Sequence, residues 1–381
     1  MRRTFIILSL IAALLAPSEL FCCTSAIFSG RTTASGRPII WKNRDTGFLN
    51  NRLEFVRAGE GVRYGFIYLS NSKSGPAEAW SGLNSEGFSI INTVSYNIRR
   101  SGDDTPASRM DREGIVMYDA LATCATLADF EALLDSLEAP YGIEANFGVI
   151  DGRGGAAYYE VNNFCWVKYD VNDPAVAPDG YLVRSNYSFS GTGTGQGYAR
   201  YNTAVHIIKE RLDSGGKIDV RFVMDSLSRS FYQSEFGCDP FDEGRSFFAD
   251  RNFIPRKSTA SVTIAEGVAP GCDPSQAVFW CALGYPPVSE IVPAKVAAGD
   301  LIPADLVAGP NGLAAACSRA LERKKRVFSM DLGDGVRYVD FNVIRKEREA
   351  IKEAEDKIFD NFASDFNPLQ MKQFYEEIEI R

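Results

Sequence analysis

The stretch SELFCCTSAIFSG, residues 18–30, joins an export-type leader to a strand-like run and sets two adjacent cysteines, Cys22 and Cys23, at the junction. Where the chain is cut there decides which residue opens the fold. Upstream, Arg2 and Arg3 form a positive start and residues 5–16 (FIILSLIAALLA) form an apolar run too short for a comfortable membrane span. Pro17 then breaks the run, completing the pattern of a secretory signal peptide over residues 1–22. Cleavage after Ala16 and cleavage after Cys22 both suit a signal peptidase. The second leaves Cys23 as residue one with a free amine; an unstructured stub and lipidation of Cys23 are the alternatives. Export places the chain in the bacterial periplasm or outside the cell, with lipid anchoring at Cys23 as the rival, and it permits disulfides. Of the eight cysteines, six could pair in the mature chain and Cys23 would be the odd thiol.

Downstream, CTSAIFSG (23–30) alternates loosely, RTTASG (31–36) is turn-rich and RPIIWKNRD (37–45) reads as a second strand, so the three form a hairpin. Strand-like runs follow at 63–69, 77–80 and 88–95, with LNSEG as the turn between the last two. Helical spacing covers 109–123, and the capping box Thr126-x-x-Asp129 opens a second helix that ends at Leu137. Strands resume at 147–150, 156–161, 164–169 and 181–186. Helices are expected at 198–212 and near 222–227, the latter capped by Asp219. Residues 236–256 read as loop, strands return at 261–264 and 277–282, and an amphipathic helix fills 340–362. The order predicts an α+β fold of mainly antiparallel sheets with segregated helices. We read residues 23–381 as one domain with a helical extension from about 340.

The chain has 381 residues, is 45% hydrophobic and 24% charged, and carries a net charge of −8. An acidic balance argues against a nucleic-acid partner, and no internal stretch could span a membrane once the signal is gone. The glycine-rich run SGTGTGQG (190–197) fits neither G-x-G-x-x-G nor a phosphate loop. The only histidine, His206, lies on a predicted helix, and no His/Cys spacing suits zinc. No cofactor is expected. A hydrolase can work without histidine if its nucleophile is an N-terminal cysteine. Its α-amine, with a pKa near 8, can take the thiol proton and return it to the leaving amine.

Five segments, in order, resemble one family. CTSAIFSG…GRPIIWKNRD, GLNSEGFSIINTVSYN (82–97), YLVRSNYSF (181–189), GYARYNTA (197–204) and VFWCALGYPPVSEIVP (278–293) are similar to the choloylglycine hydrolase and penicillin V acylase superfamily. That superfamily of N-terminal nucleophile hydrolases includes the branch around acyl-coenzyme A:6-aminopenicillanic acid acyltransferase. The resemblance spans residues 23–293. It implies a four-layer αββα sandwich and hydrolysis of linear non-peptide amides, with acyl transfer on the same fold as the alternative.

Carried over residue by residue, the resemblance makes Cys23 the nucleophile and gives Asp45 the role of orienting the α-amine. Asn186, with Asn92 as partner, would donate to the oxyanion, and Arg200 would tie down Asp45 or the Cys23 region. Lys42 stands where the family has an arginine and would supply positive charge near the thiol, with Arg44 two residues on as the other candidate. The implied partner is a small amide with an apolar acyl group; homo-oligomerisation is left open.

Overall fold

The computed structural model describes residues 22–71 and 77–378, so apart from Cys22 the signal-peptide expectation lies outside the described residues. The chain opens with β1 (Thr24–Phe28) and β2 (Ile39–Asp45), then β3 (Asn51–Val56), β4 (Phe66–Asn71), β5 (Ser81–Asn84) and β6 (Ser89–Val94). Two helices follow, α1 (Glu113–Thr123) and α2 (Leu127–Asp135). Next come β7 (Ala145–Ile150), β8 (Ala156–Val161), β9 (Trp166–Asp170), β10 (Tyr181–Arg184), α3 (Tyr198–Asp213) and a π-helical segment (Val223–Ser228). The remainder is β11 (Phe247–Ala249), β12 (Thr259–Glu266), β13 (Val278–Leu283), β14 (Val292–Ala294), α4 (Ala315–Val327), β15 (Tyr338–Asp340), α5 (Phe341–Asn361) and α6 (Pro368–Ile378).

Two antiparallel sheets form the centre. One has six strands in the order β10-β1-β2-β12-β13-β14; the other runs β3 to β9 in sequence order. Side-chain alternation sorts their faces. In the seven-stranded sheet Ile67, Leu69, Ile91 and Tyr158 join the core between the sheets. Their neighbours Phe66, Tyr68, Ile90 and Tyr159 pack instead on α1 and α2, through Met117, Leu121, Phe130 and Leu134. The six-stranded sheet divides the same way. Lys42 and Thr263 reach the other sheet, at Asn92 and Ser81, whereas Trp41 donates to Ser228 of the π-helical segment and Trp280 stacks on Phe359 of α5. The layers are therefore helix, sheet, sheet, helix: the αββα sandwich expected.

The hairpin, the capping box at Thr126 and Asp129, and the cap at Asp219 form where expected. Four expectations need correction. The strand placed at 77–80 lies at Ser81–Asn84, because the Asn84 Oδ1 accepts from the backbone N–H groups of Glu86 and Phe88 and so starts the turn after itself. The helix placed from 109 begins at Glu113; Asp111 sits at φ 65° and interrupts it. The 236–256 loop contains β11, which pairs with β15 to make a small third sheet. The six cysteines that could have paired do not, and all eight thiols are free.

Candidate active site

Cys23 immediately precedes β1, which lies between β2 and β10, so backbone pairing on both sides fixes its position. It borders a cavity of about 450 Å³ between the sheets, together with Lys42, Asp45 and Asn92. Because side chains alternate along β2, Lys42 and Arg44 both line the cavity while Trp41 and Asn43 turn to the helices.

Lys42 is almost wholly buried. Its Nζ donates to the Trp80 carbonyl at 2.8 Å and to Asn92 Oδ1 at 2.7 Å. Burial pushes its ammonium down to about 7, with Cys23 pulling the other way and Arg44 adding to the fall. Arg44 donates to Asn51 Oδ1 at 2.7 Å and lies over the Trp80 ring at 4.8 Å; burial lowers it to about 10. Lys42 occupies the oxygen of Asn92, and no acceptor among the described residues takes a hydrogen from its Nδ2. That amide can therefore donate into the cavity.

Asp45 ends β2. Its Oδ2 accepts from Arg256 Nε at 2.7 Å and its Oδ1 from the Thr259 hydroxyl at 2.6 Å. The same arginine donates through Nη2 to the Cys22 carbonyl at 3.1 Å, so Asp45 and the Cys22–Cys23 peptide share one guanidinium. Lys324 of α4 donates to the Thr259 carbonyl at 2.8 Å, bracing the strand start from behind.

Asn186 and Arg200 are fully buried behind Cys23 rather than in the cavity wall. Arg200 Nη1 donates to the Cys23 carbonyl and to Thr24 Oγ1, both at 2.6 Å, and its Nη2 donates to Asn186 Oδ1 at 2.7 Å. Burial, then the charge of Arg256, lowers Arg200 to about 10. The Asn186 amide nitrogen donates to the Val94 carbonyl at 2.9 Å. Gly197 makes this arrangement possible: it sits at φ 85°, and a Cβ there would lie 2.4 Å from Arg200 Nη2.

Lys42, Arg44, Asp45 and Asn92 stand in the wall with Cys23, and Asn186 and Arg200 lie beneath it; the Asn186 amide, expected at the oxyanion, lies instead outside the cavity and is spent on the Val94 carbonyl. Sequence reading missed Arg256, Thr259, Lys324 and Gly197. Asp45 meets Arg256 across a separation of 211 residues, a contact with no local pattern to announce it. His206 takes no part; it stacks on Tyr232 at 4.4 Å on α3. Among the described residues no group of three His, Cys, Asp or Glu side chains is placed to hold a metal, and no helix is long and apolar enough to cross a membrane.

No family model and no curated protein matches the sequence. Among solved structures the chain is similar to the Caenorhabditis elegans ortholog of N-acylethanolamine-hydrolyzing acid amidase, with 16% identity over 66% of this chain and 94% of that one, at a TM-score of 0.43. It is also similar to a variant of conjugated bile acid hydrolase from Clostridium perfringens (12% identity, 72% and 92% coverage, TM-score 0.42) and to penicillin V acylase from Agrobacterium tumefaciens (13%, 72% and 86%, TM-score 0.42).

Proposed function

We propose that this chain, once cut between Cys22 and Cys23, is an exported N-terminal cysteine amidohydrolase acting on a linear, non-peptide amide. The single domain would then run from Cys23 to the C-terminus. The observation that carries the reading is the position of Cys23: it immediately precedes an interior strand and borders a cavity that Lys42, Asp45 and Asn92 also border.

The steps follow from these residues. The freed α-amine takes the thiol proton, and the sulfur attacks the amide carbonyl carbon. The carbonyl oxygen becomes an oxyanion within reach of the uncommitted Asn92 amide hydrogen, in a wall made positive by Lys42 and Arg44. Collapse breaks the carbon–nitrogen bond; the amine leaves with the proton from the α-ammonium, and a thioester remains on Cys23. Water, giving its proton to the α-amine, then attacks the thioester, releases the acid and restores the thiol. Asp45 with Arg256 orients the amine, and Arg200 with Asn186 holds the Cys23 carbonyl, so the sulfur is fixed from the backbone side.

Intact-mass analysis of the exported protein tests the reading. The expected chain begins at unmodified Cys23 and gains one acyl mass when a slow amide is added, and Cys23→Ala gains none. A chain that retains Cys22, or bears a diacylglyceryl group on Cys23, refutes it.

A further inference from the structure

The cavity is polarised. Lys42 and Arg44 stand on the wall made by β2. Asp111, Glu113 and Glu144 line it from the segment before α1, the start of α1 and the residue before β7. Trp80, Val94 and Met110 supply apolar lining between these groups. Glu113 is the informative member. It is more than nine-tenths buried; among the described residues its only hydrogen bond to another residue is from the Glu144 backbone N–H to Oε1 at 3.0 Å, and no lysine or arginine pairs with it. Burial, and after it the charges of Asp111 and Glu144, push its carboxyl up to about 7. Buried carboxylates are ordinarily paired with a cation. Arg99 does not meet that need: it lies 3.4 Å from Glu144 and 3.7 Å from Asp103, and no pair joins it to Glu113. The Glu144 Oε1 accepts no hydrogen bond, and Arg99 Nε is the cation that stands beside it.

We propose that the substrate of this site is an amide that bears a protonated amine, held by Glu113 with Asp111 and Glu144 while its carbonyl meets Cys23. The inference rests on the amidohydrolase reading above. An ammonium would supply the cation that Glu113 lacks among the described residues. A carboxylate in the same place would face Asp111, Glu113 and Glu144, of which Arg99, also in the lining, pairs only with Glu144. The ammonium can belong to the leaving amine, as in an N-acyl diamine, or to the acyl chain, as in an ω-aminoacyl amide.

Four matched amides separate these cases: N-hexanoyl-1,4-diaminobutane, N-pentyl-6-aminohexanamide, the neutral N-pentylhexanamide and the anionic N-hexanoyl-4-aminobutyrate. One cationic amide should exceed the neutral one in kcat/KM by about tenfold or more, as a charged hydrogen bond implies. The anionic amide should be the poorest. Glu113→Gln keeps the oxygen that accepts from Glu144 and should cut the cation preference to about twofold; Asp111→Asn, which tolerates the same positive φ, should reduce it as well. Equal rates for cationic and neutral amides, or a preference unchanged in both variants, overturn the proposal. Thermal shifts of the Cys23→Ala protein with the same four amides give a readout independent of turnover. Stabilisation by a cationic amide alone upholds the proposal even if wild type cleaves nothing, in which case the hydrolase reading falls instead. No cationic preference in either assay refutes the proposal.

Discussion

Replacing Lys42 with methionine should make the protein more stable and less active, with a stability gain that depends on pH. Lys42 is an ammonium on a fully buried stem, and lowering it from 10.5 to about 7 corresponds to roughly 5 kcal/mol lost on folding when the proton is bound in both states. The unfolded chain keeps that proton up to about 10.5, whereas the folded chain releases it near 7. Between those values the unfolded state binds more protons, so the lysine's cost falls as pH rises and vanishes above 10.5. At pH 6 the full cost applies; at pH 9 roughly 2 kcal/mol of it remains. Methionine fills similar space but leaves the Trp80 carbonyl and Asn92 Oδ1 without a donor, costing about 1–3 kcal/mol. Lys42→Met should therefore gain about 2–4 kcal/mol at pH 6 and almost nothing at pH 9. Urea unfolding followed by tryptophan fluorescence at the two pH values measures this directly. A variant less stable than the parent at pH 6, or a difference that does not shrink by about 3 kcal/mol at pH 9, would show that Lys42 is not a strained cation. Loss of amide hydrolysis in the same variant would explain why such a residue is kept.

Two further outcomes follow from the site. Asn92→Ala should lower kcat by about 10²–10³ while KM changes little, as expected when a donor is lost that acts mainly in the transition state; a rate within threefold of wild type removes Asn92 from the oxyanion role. Arg256→Met should destabilise the fold by about 3–5 kcal/mol, because Asp45 stays buried with only the Thr259 hydroxyl as a side-chain partner. Arg256→Lys should recover part of that loss and of kcat, and failure of the lysine to recover either would count against a charge-holding role.

The parts of the molecule legible in its sequence are those written in short-range pattern. The 23–45 hairpin shows as two alternating runs around a turn, and α2 shows as a capping box. That hairpin brings Cys23, Lys42 and Asp45 together, since adjacent antiparallel strands set their residues opposite one another, whereas their roles are implied only by the family resemblance. What stayed hidden has weak local pattern or depends on distance. β3 (NRLEFV) carries two charges in six residues, and β14 is three residues long. α4 reads as a charged surface helix, yet it buries Lys324 against the Thr259 carbonyl. Arg256 sits in an aromatic, loop-like stretch, and its importance comes wholly from where β12 meets β2. The acidic wall was equally silent: Glu113 looks like an ordinary first-turn glutamate until α1 packs against the sheet.

The interior place of β1 in its sheet has a consequence for how this molecule can be rearranged. Most folds tolerate moving their chain ends to another surface loop. Here the proposed chemistry needs a primary amine on the residue just before β1, which is flanked by β10 and β2. A circular permutant with Cys23 joined to preceding chain could keep every strand pairing and every ion pair, yet it would offer an amide where an amine is required. The order of the chain, and not only its shape, is then part of the catalyst.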